Sequence, residues 1–149
     1  MPKLGHRLQT QLILHGAIVL FIGLLCGIPF TVAAGSAWGE NVVRAWRVAH
    51  SGGAAVGLML LAIGAVMPRL VLGDRPAAML VWSLGLSAYC FTLGVLVAAM
   101  AGVRGLQAAG PALNGVVFAA YAVGAIGALL GVAVLIVGAA VALRGPPPG

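Results

Sequence analysis

The sequence predicts an all-α integral membrane protein, a bundle of four transmembrane helices in one domain. Three observations carry that prediction. Hydrophobic residues make up 62% of the 149 residues and charged residues only 7%, where a soluble domain carries roughly a quarter charged. The apolar residues gather into four runs, each long enough at ~1.5 Å rise per residue to cross a ~30 Å hydrocarbon layer. Charged and turn-forming residues stand between these runs and almost nowhere within them. The apolar surface is therefore expected to face lipid or neighbouring helices.

Met1 to Gln11 reads as a polar, basic lead with Lys3, His6 and Arg7. The first span follows, Leu12 to Ala34. A signal peptide is the rival reading, with Gly35-Ser36-Ala37 as its cleavage site, but the apolar run exceeds the roughly 7–15 residues of a signal peptide, so a retained helix is expected. Trp38 and Trp46 flank the next connection, where tryptophan favours the membrane–water interface. The second span, Val42 to Leu72, is too long for a perpendicular crossing and must tilt or protrude. Met67-Pro68-Arg69 marks its exit. Gly73-Asp74-Arg75-Pro76 is a turn by composition, with proline placed to start a helix. Ala77 to Val103 is the third span, Asn114 is expected to cap the fourth, and Gly115 to Leu143 is that fourth span. Residues 145–149, Gly-Pro-Pro-Pro-Gly, cannot continue a helix and are expected to be disordered.

The net charge of +6 arises from eight Lys and Arg against Glu40 and Asp74. These charges sit singly at span ends, with no basic stripe interleaved with aromatics, which excludes nucleic acid as a partner and makes the bilayer itself the partner. Lys3, Arg7, Arg69, Arg75 and Arg144 fall on one side, and Arg44, Arg47 and Arg104 on the other. This bias places the N- and C-termini in the cytoplasm. Cys26 and Cys90 lie in apolar runs without metal or redox spacing and read as small hydrophobes. Glycines recur at four-residue spacing, Gly23 with Gly27, Gly53 with Gly57 and Gly127 with Gly131. Such spacing lets helices approach closely in lipid.

No Walker loop, GxGxxG, HExxH or GxSxG is present. Two acidic residues, both outside the spans, exclude paired-carboxylate catalysis in the membrane. The polar residue that stands out is His50, inside the stretch RAWRVAHSGGAAV from Arg44 to Val56. An ionisable ring carried into an apolar helix needs a ligand or a partner. On a helix, Trp46, Gly53, Ala54 and Gly57 share or adjoin its face. An aromatic ring above and a strip without bulk below would let a flat macrocycle lie there, with Arg47 pairing a propionate. Two readings stay open: an axial ligand of haem iron, or a histidine bonded to a helix carbonyl, a tyrosine or a serine. His15, in the first span, lies roughly 20 Å from His50 in depth, too far to share one iron. It reads as a packing or second-site residue. Met100 lies at the depth of His50, where a His/Met iron competes with simple space filling. Tyr89 and Tyr121 are mid-span hydroxyls that must find partners, and either can donate to a bound ligand.

Trp46-Arg47-Val48-Ala49-His50-Ser51-Gly52 resembles the Trp-x-x-Ala-His-Ser-Gly segment of the styrene oxide isomerase family, small bacterial integral membrane proteins. The likeness extends to His15-Gly16, to Val66-Met67-Pro68 and to the four-span layout. It implies a homotrimer in the bacterial inner membrane holding haem b between subunits, with iron on His50. Trp46, Arg47, Ser51, Gly53 and Gly57 are then cofactor-binding residues. The implied reaction opens a small hydrophobic epoxide to an aldehyde through the Lewis acidity of ferric iron, with a dry pocket preventing diol formation. The sequence departs from the family at two points. The asparagine six residues after the histidine is Val56, and the active-site tyrosine of the third helix falls near Val95, leaving Tyr89 as the nearest tyrosine. A membrane haem protein for sensing, storage or electron transfer is therefore the alternative reading, and a cofactor-free accessory subunit a further one.

Overall fold

The computed structural model describes residues 4–145. Residues 1–3 of the basic lead and residues 146–149, expected to be disordered, lie outside the described residues. Among the described residues five α-helices follow in order, α1 (Leu4–Leu25), α2 (Gly27–Gly35), α3 (Glu40–Val66), α4 (Asp74–Ala101) and α5 (Ala112–Leu143). A 3₁₀ turn, Met67–Arg69, ends the second span at the predicted Met-Pro-Arg. Among the described residues four stretches are long and apolar enough to cross a membrane, Gly5–Gly35, Glu40–Arg69, Asp74–Ala101 and Ala112–Leu143. No strand occurs among the described residues. The protein is a multi-pass helical membrane protein.

The first span differs from expectation in two ways. Helix α1 already begins at Leu4, so most of the basic lead is helical. The span is also broken at Cys26. Pro29 has no N–H to give the carbonyl of Leu25, and its ring crowds that turn. The bonds Cys26 N–H to Ile22 O at 3.1 Å and Phe30 N–H to Cys26 O at 3.2 Å bridge the fault. The chain therefore bends without unravelling. Glu40 and Asp74 fall in the first turns of α3 and α4, where the helix dipole favours a carboxylate.

Helices α1 and α3 run antiparallel with their backbones nearly touching. A Cβ on Gly23 would lie 2.3 Å from the Ala54 nitrogen, and one on Gly53 2.8 Å from the Gly23 Cα. Only residues without side chains fit there. Gln9 closes the other end of this pair, its Nε2 donating to Gly64 O at 3.1 Å. Helix α5 packs chiefly on α4, with Gly127 and Gly131 against Ser83, Ser87 and Leu84. The glycine spacing thus marks both tight pairs. Between α1, α3 and α4 sits an inner apolar cluster that includes Leu12, Val19, Leu60, Leu80 and Leu84. Ile126, Leu129, Ile136 and Val137 of α5 are exposed, as lipid- or partner-facing residues are.

Asn114 does not cap the fourth helix. The helix opens at Pro111, and Asn114 sits inside its first turn. Its Oδ1 accepts the N–H of Gly105 at 2.8 Å, while Nδ2 donates to Gln107 O at 2.7 Å and Ala109 O at 2.8 Å. An amide has both donors and acceptors, so one side chain ties down the whole α4–α5 connection. Gly102 (φ 66°) ends α4 in the left-handed conformation that glycine adopts freely.

Candidate functional site

His50 sits ten residues into α3 and turns its ring toward the α1–α2 bend. Its Nδ1 lies 2.9 Å from the carbonyl oxygen of Gly23. A carbonyl only accepts, so the proton of this bond is on Nδ1. In a neutral imidazole Nε2 then keeps its lone pair, and it has no hydrogen-bond partner among the described residues. Ligating histidines are oriented in the same way, with one ring nitrogen tied to a carbonyl and the other free for a metal. The bond to a helix carbonyl and the ligand role, which stood as rival readings of the sequence, are compatible.

The bend supplies the rest of the cradle. Gly27 leaves room for the ring, since a Cβ there would lie 3.1 Å from Nδ1. Phe30, one turn further on α2, stacks on the imidazole with centroids 6.2 Å apart and planes 14° apart. The guanidinium of Arg47 lies over the other end of this column, 5.6 Å from the Phe30 centroid. The sequence marked Gly23 and Gly27 for close helix packing but not as neighbours of His50, and it did not mark Phe30 at all. The proline three residues after Cys26 was the available signal, because a kinked span presents groups that a straight one hides.

Several expected neighbours have other tasks. Trp46 is half-buried against Cys26, Ala49 and Ala99, and the ring stacked on His50 is Phe30 instead. The strip at Gly53 and Gly57 is free of bulk as the spacing requires, but α1 fills it. A Cβ on Gly57 would meet the Leu20 backbone at 2.4 Å. A flat macrocycle therefore does not lie on that strip of its own chain. Ser51 donates its hydroxyl to Arg47 O at 2.8 Å and turns into its own helix. Arg47 is exposed and makes no ion pair among the described residues; the pair present is Arg44 with Glu40, 3.3 Å apart and exposed.

Tyr89 lies away from His50. Its hydroxyl is 2.9 Å from His15 Nδ1, with the rings edge to face at 5.6 Å. His15 and Gly23 are eight residues apart on α1, about 12 Å along the axis. The two histidines thus serve different sites, though nearer in depth than the sequence suggested. Val56 packs against the inner apolar cluster, and Met100 is 71% exposed on the outer surface. Among the described residues no three His, Cys, Asp or Glu side chains gather as a metal cage.

On the opposite side of α3 a cleft of about 670 Å³ opens between α3, α4 and α5. Its walls include Val48, Phe91, Val95, Ala98 and Tyr121, with Arg44 and Arg104 at one end. Val48 and His50 are two residues apart and so point about 160° away from each other around the helix.

Fold and site together define a helical membrane protein with four candidate spans among the described residues and a histidine, His50, whose Nδ1 is held by a backbone carbonyl. A family model described as styrene oxide isomerase matches residues 8–140, and the chain belongs to that family. The curated proteins offer no match.

Proposed function

We propose that this chain binds haem b through Nε2 of His50 and isomerises a small hydrophobic epoxide to an aldehyde, as a homotrimer in the bacterial inner membrane with both termini in the cytoplasm. The observation that carries the reading is the bond from His50 Nδ1 to Gly23 O at 2.9 Å, which leaves a sterically oriented lone pair on Nε2. The donor set fits a single axial ligand: one imidazole, no competing metal cage among the described residues, and an unpaired Arg47 able to take a propionate. With α1 on the Gly53 and Gly57 strip, the macrocycle belongs at the subunit boundary and not against its own α3. That agrees with a cofactor shared between copies.

When bound, ferric haem would supply Lewis acidity at the epoxide oxygen. The chain's own residues hold and shield. Gly23 O fixes the imidazole, Phe30 packs on its face, and the apolar helices keep out the water that would hydrolyse an epoxide to a diol. Purified protein should show a Soret band that His50→Ala removes; a full band in that variant refutes the ligand assignment. Converting styrene oxide to phenylacetaldehyde tests the reaction separately.

A second reading, a membrane haem protein for sensing, storage or electron transfer, is favoured by the apolar side chains of Val56 and Val95. A six-coordinate spectrum indifferent to epoxides and to imidazole would support it. Purified protein without any Soret band would leave the cofactor-free accessory subunit.

A further inference from the structure

A pocket of about 400 Å³ opens at the end of the bundle where α1 begins and α3 gives way to α4. Its walls include Gly5, His6 and Gln9 of α1, Pro68 and Leu70 of the turn, and Ala77 of α4. Depth sets what can reach it. Gln9 and His6 stand three and six residues before the apolar run that opens at Leu12, roughly 4–9 Å beyond it on a helix. The headgroup layer of a bilayer occupies about that interval. The lining is of two kinds, apolar at Pro68, Leu70 and Ala77 and polar at His6 and Gln9. Gln9 donates its amide N–H to Gly64 O at 3.1 Å, which leaves the amide oxygen as an acceptor. Arg7 follows His6, and Arg69 stands between the wall residues Pro68 and Leu70. Both are exposed, and neither forms an ion pair among the described residues. With Arg75 also exposed and Asp74 the one side-chain carboxylate nearby in the chain, this end is positive.

We propose that this pocket holds the headgroup of one anionic phospholipid, with Arg7, Arg69 and His6 on its phosphate and the Gln9 amide oxygen accepting from a headgroup hydroxyl. Guanidinium groups pair with phosphate through two parallel N–H bonds, and basic pockets between membrane helices are suited to anionic headgroups. The apolar wall at Pro68 and Leu70 takes the first carbons below the phosphate. A choline headgroup would bring its own cation to the same arginines and is disfavoured. A lipid so held ties the first turns of α1 to the α3–α4 turn, segments some sixty residues apart. The site lies at the far end of α1 from Gly23 and stands without the haem reading.

The test uses the full chain in nanodiscs of mixed phosphatidylcholine and phosphatidylglycerol, with the lipid retained on release counted by native mass spectrometry. Each chain should keep one phosphatidylglycerol in preference to phosphatidylcholine. Arg69→Gln should lower that retention about fivefold, the worth of one cation at a membrane surface. Gly5→Phe leaves every charge in place and fills the pocket from a position where an added Cβ meets nothing within 4 Å. It should abolish retention. Arg144→Gln removes a charge that does not line the pocket and should change nothing. Retention that survives Gly5→Phe, or that falls equally in Arg69→Gln and Arg144→Gln, means diffuse surface attraction and overturns the proposal. Displacement of the lipid by inorganic phosphate alone would make the ligand a free anion and overturn it too.

Discussion

Gly52 and Gly53 are neighbours on α3, and their alanine variants should behave oppositely. At Gly52 an added Cβ meets nothing within 4 Å. Alanine there should leave stability unchanged or raise it by about 0.5–1 kcal/mol, the backbone freedom glycine forfeits in a helix. At Gly53 the new Cβ would sit 2.8 Å from the Gly23 Cα. Carbon atoms rest at about 3.5 Å or more, so α1 and α3 must part by roughly 0.7 Å. The obstacle is backbone, which cannot swing aside as a side chain does. The backbone gain is common to both variants and forcing such contacts open costs about 1–3 kcal/mol, so the two should differ by about 1–3 kcal/mol. The shift also carries Gly23 O away from His50, stretching a 2.9 Å bond toward the limit of hydrogen bonding. Reversible unfolding in mixed micelles measures the first effect. The ¹⁵N shifts of the His50 ring, which report its tautomer, measure the second. Equal stabilities within ~0.5 kcal/mol, or an unaltered His50 ring in Gly53→Ala, would refute the close α1–α3 packing as the device that fixes the histidine.

Two further variants probe the scaffold. A double-mutant cycle of His15→Phe and Tyr89→Phe should give a coupling near 0.6 kcal/mol, the average for hydrogen bonds between membrane helices, and zero coupling would mean the pair is not bonded. Asn114→Ala removes three hydrogen bonds that hold the α4–α5 connection. Hydrogen exchange and proteolysis between Arg104 and Pro111 should accelerate, with the spans themselves unaffected. The loss of the Soret band in His50→Ala completes the set.

Span number and type were legible because burial in lipid demands long apolar runs, and those runs are visible residue by residue. The turn at Met67-Pro68-Arg69 and the glycine contacts followed from equally local rules. His50 stood out for a similar reason, since an ionisable ring in an apolar run has few innocent explanations. What surrounds His50 was not legible. Periodicity names the residues on its own face of α3, but it cannot say which helix covers that face. The strip at Gly53 and Gly57 looked open for a macrocycle, and α1 occupies it. Asn114 looked like a cap, and its amide found three backbone partners across a loop instead.

The sequence by itself therefore determined that the chain crosses the membrane as four helices, which residues are too polar to be indifferent there, and through the segment around His50, which family it resembles. Tertiary structure alone decided what those polar residues do. It gave the Gly23 carbonyl to His50 and the His15 ring to Tyr89. The physical reason is one of range. Solvation by lipid acts on each residue where it stands, whereas a hydrogen bond joins groups 27 or 74 positions apart, and only the packing of helices brings them within 3 Å.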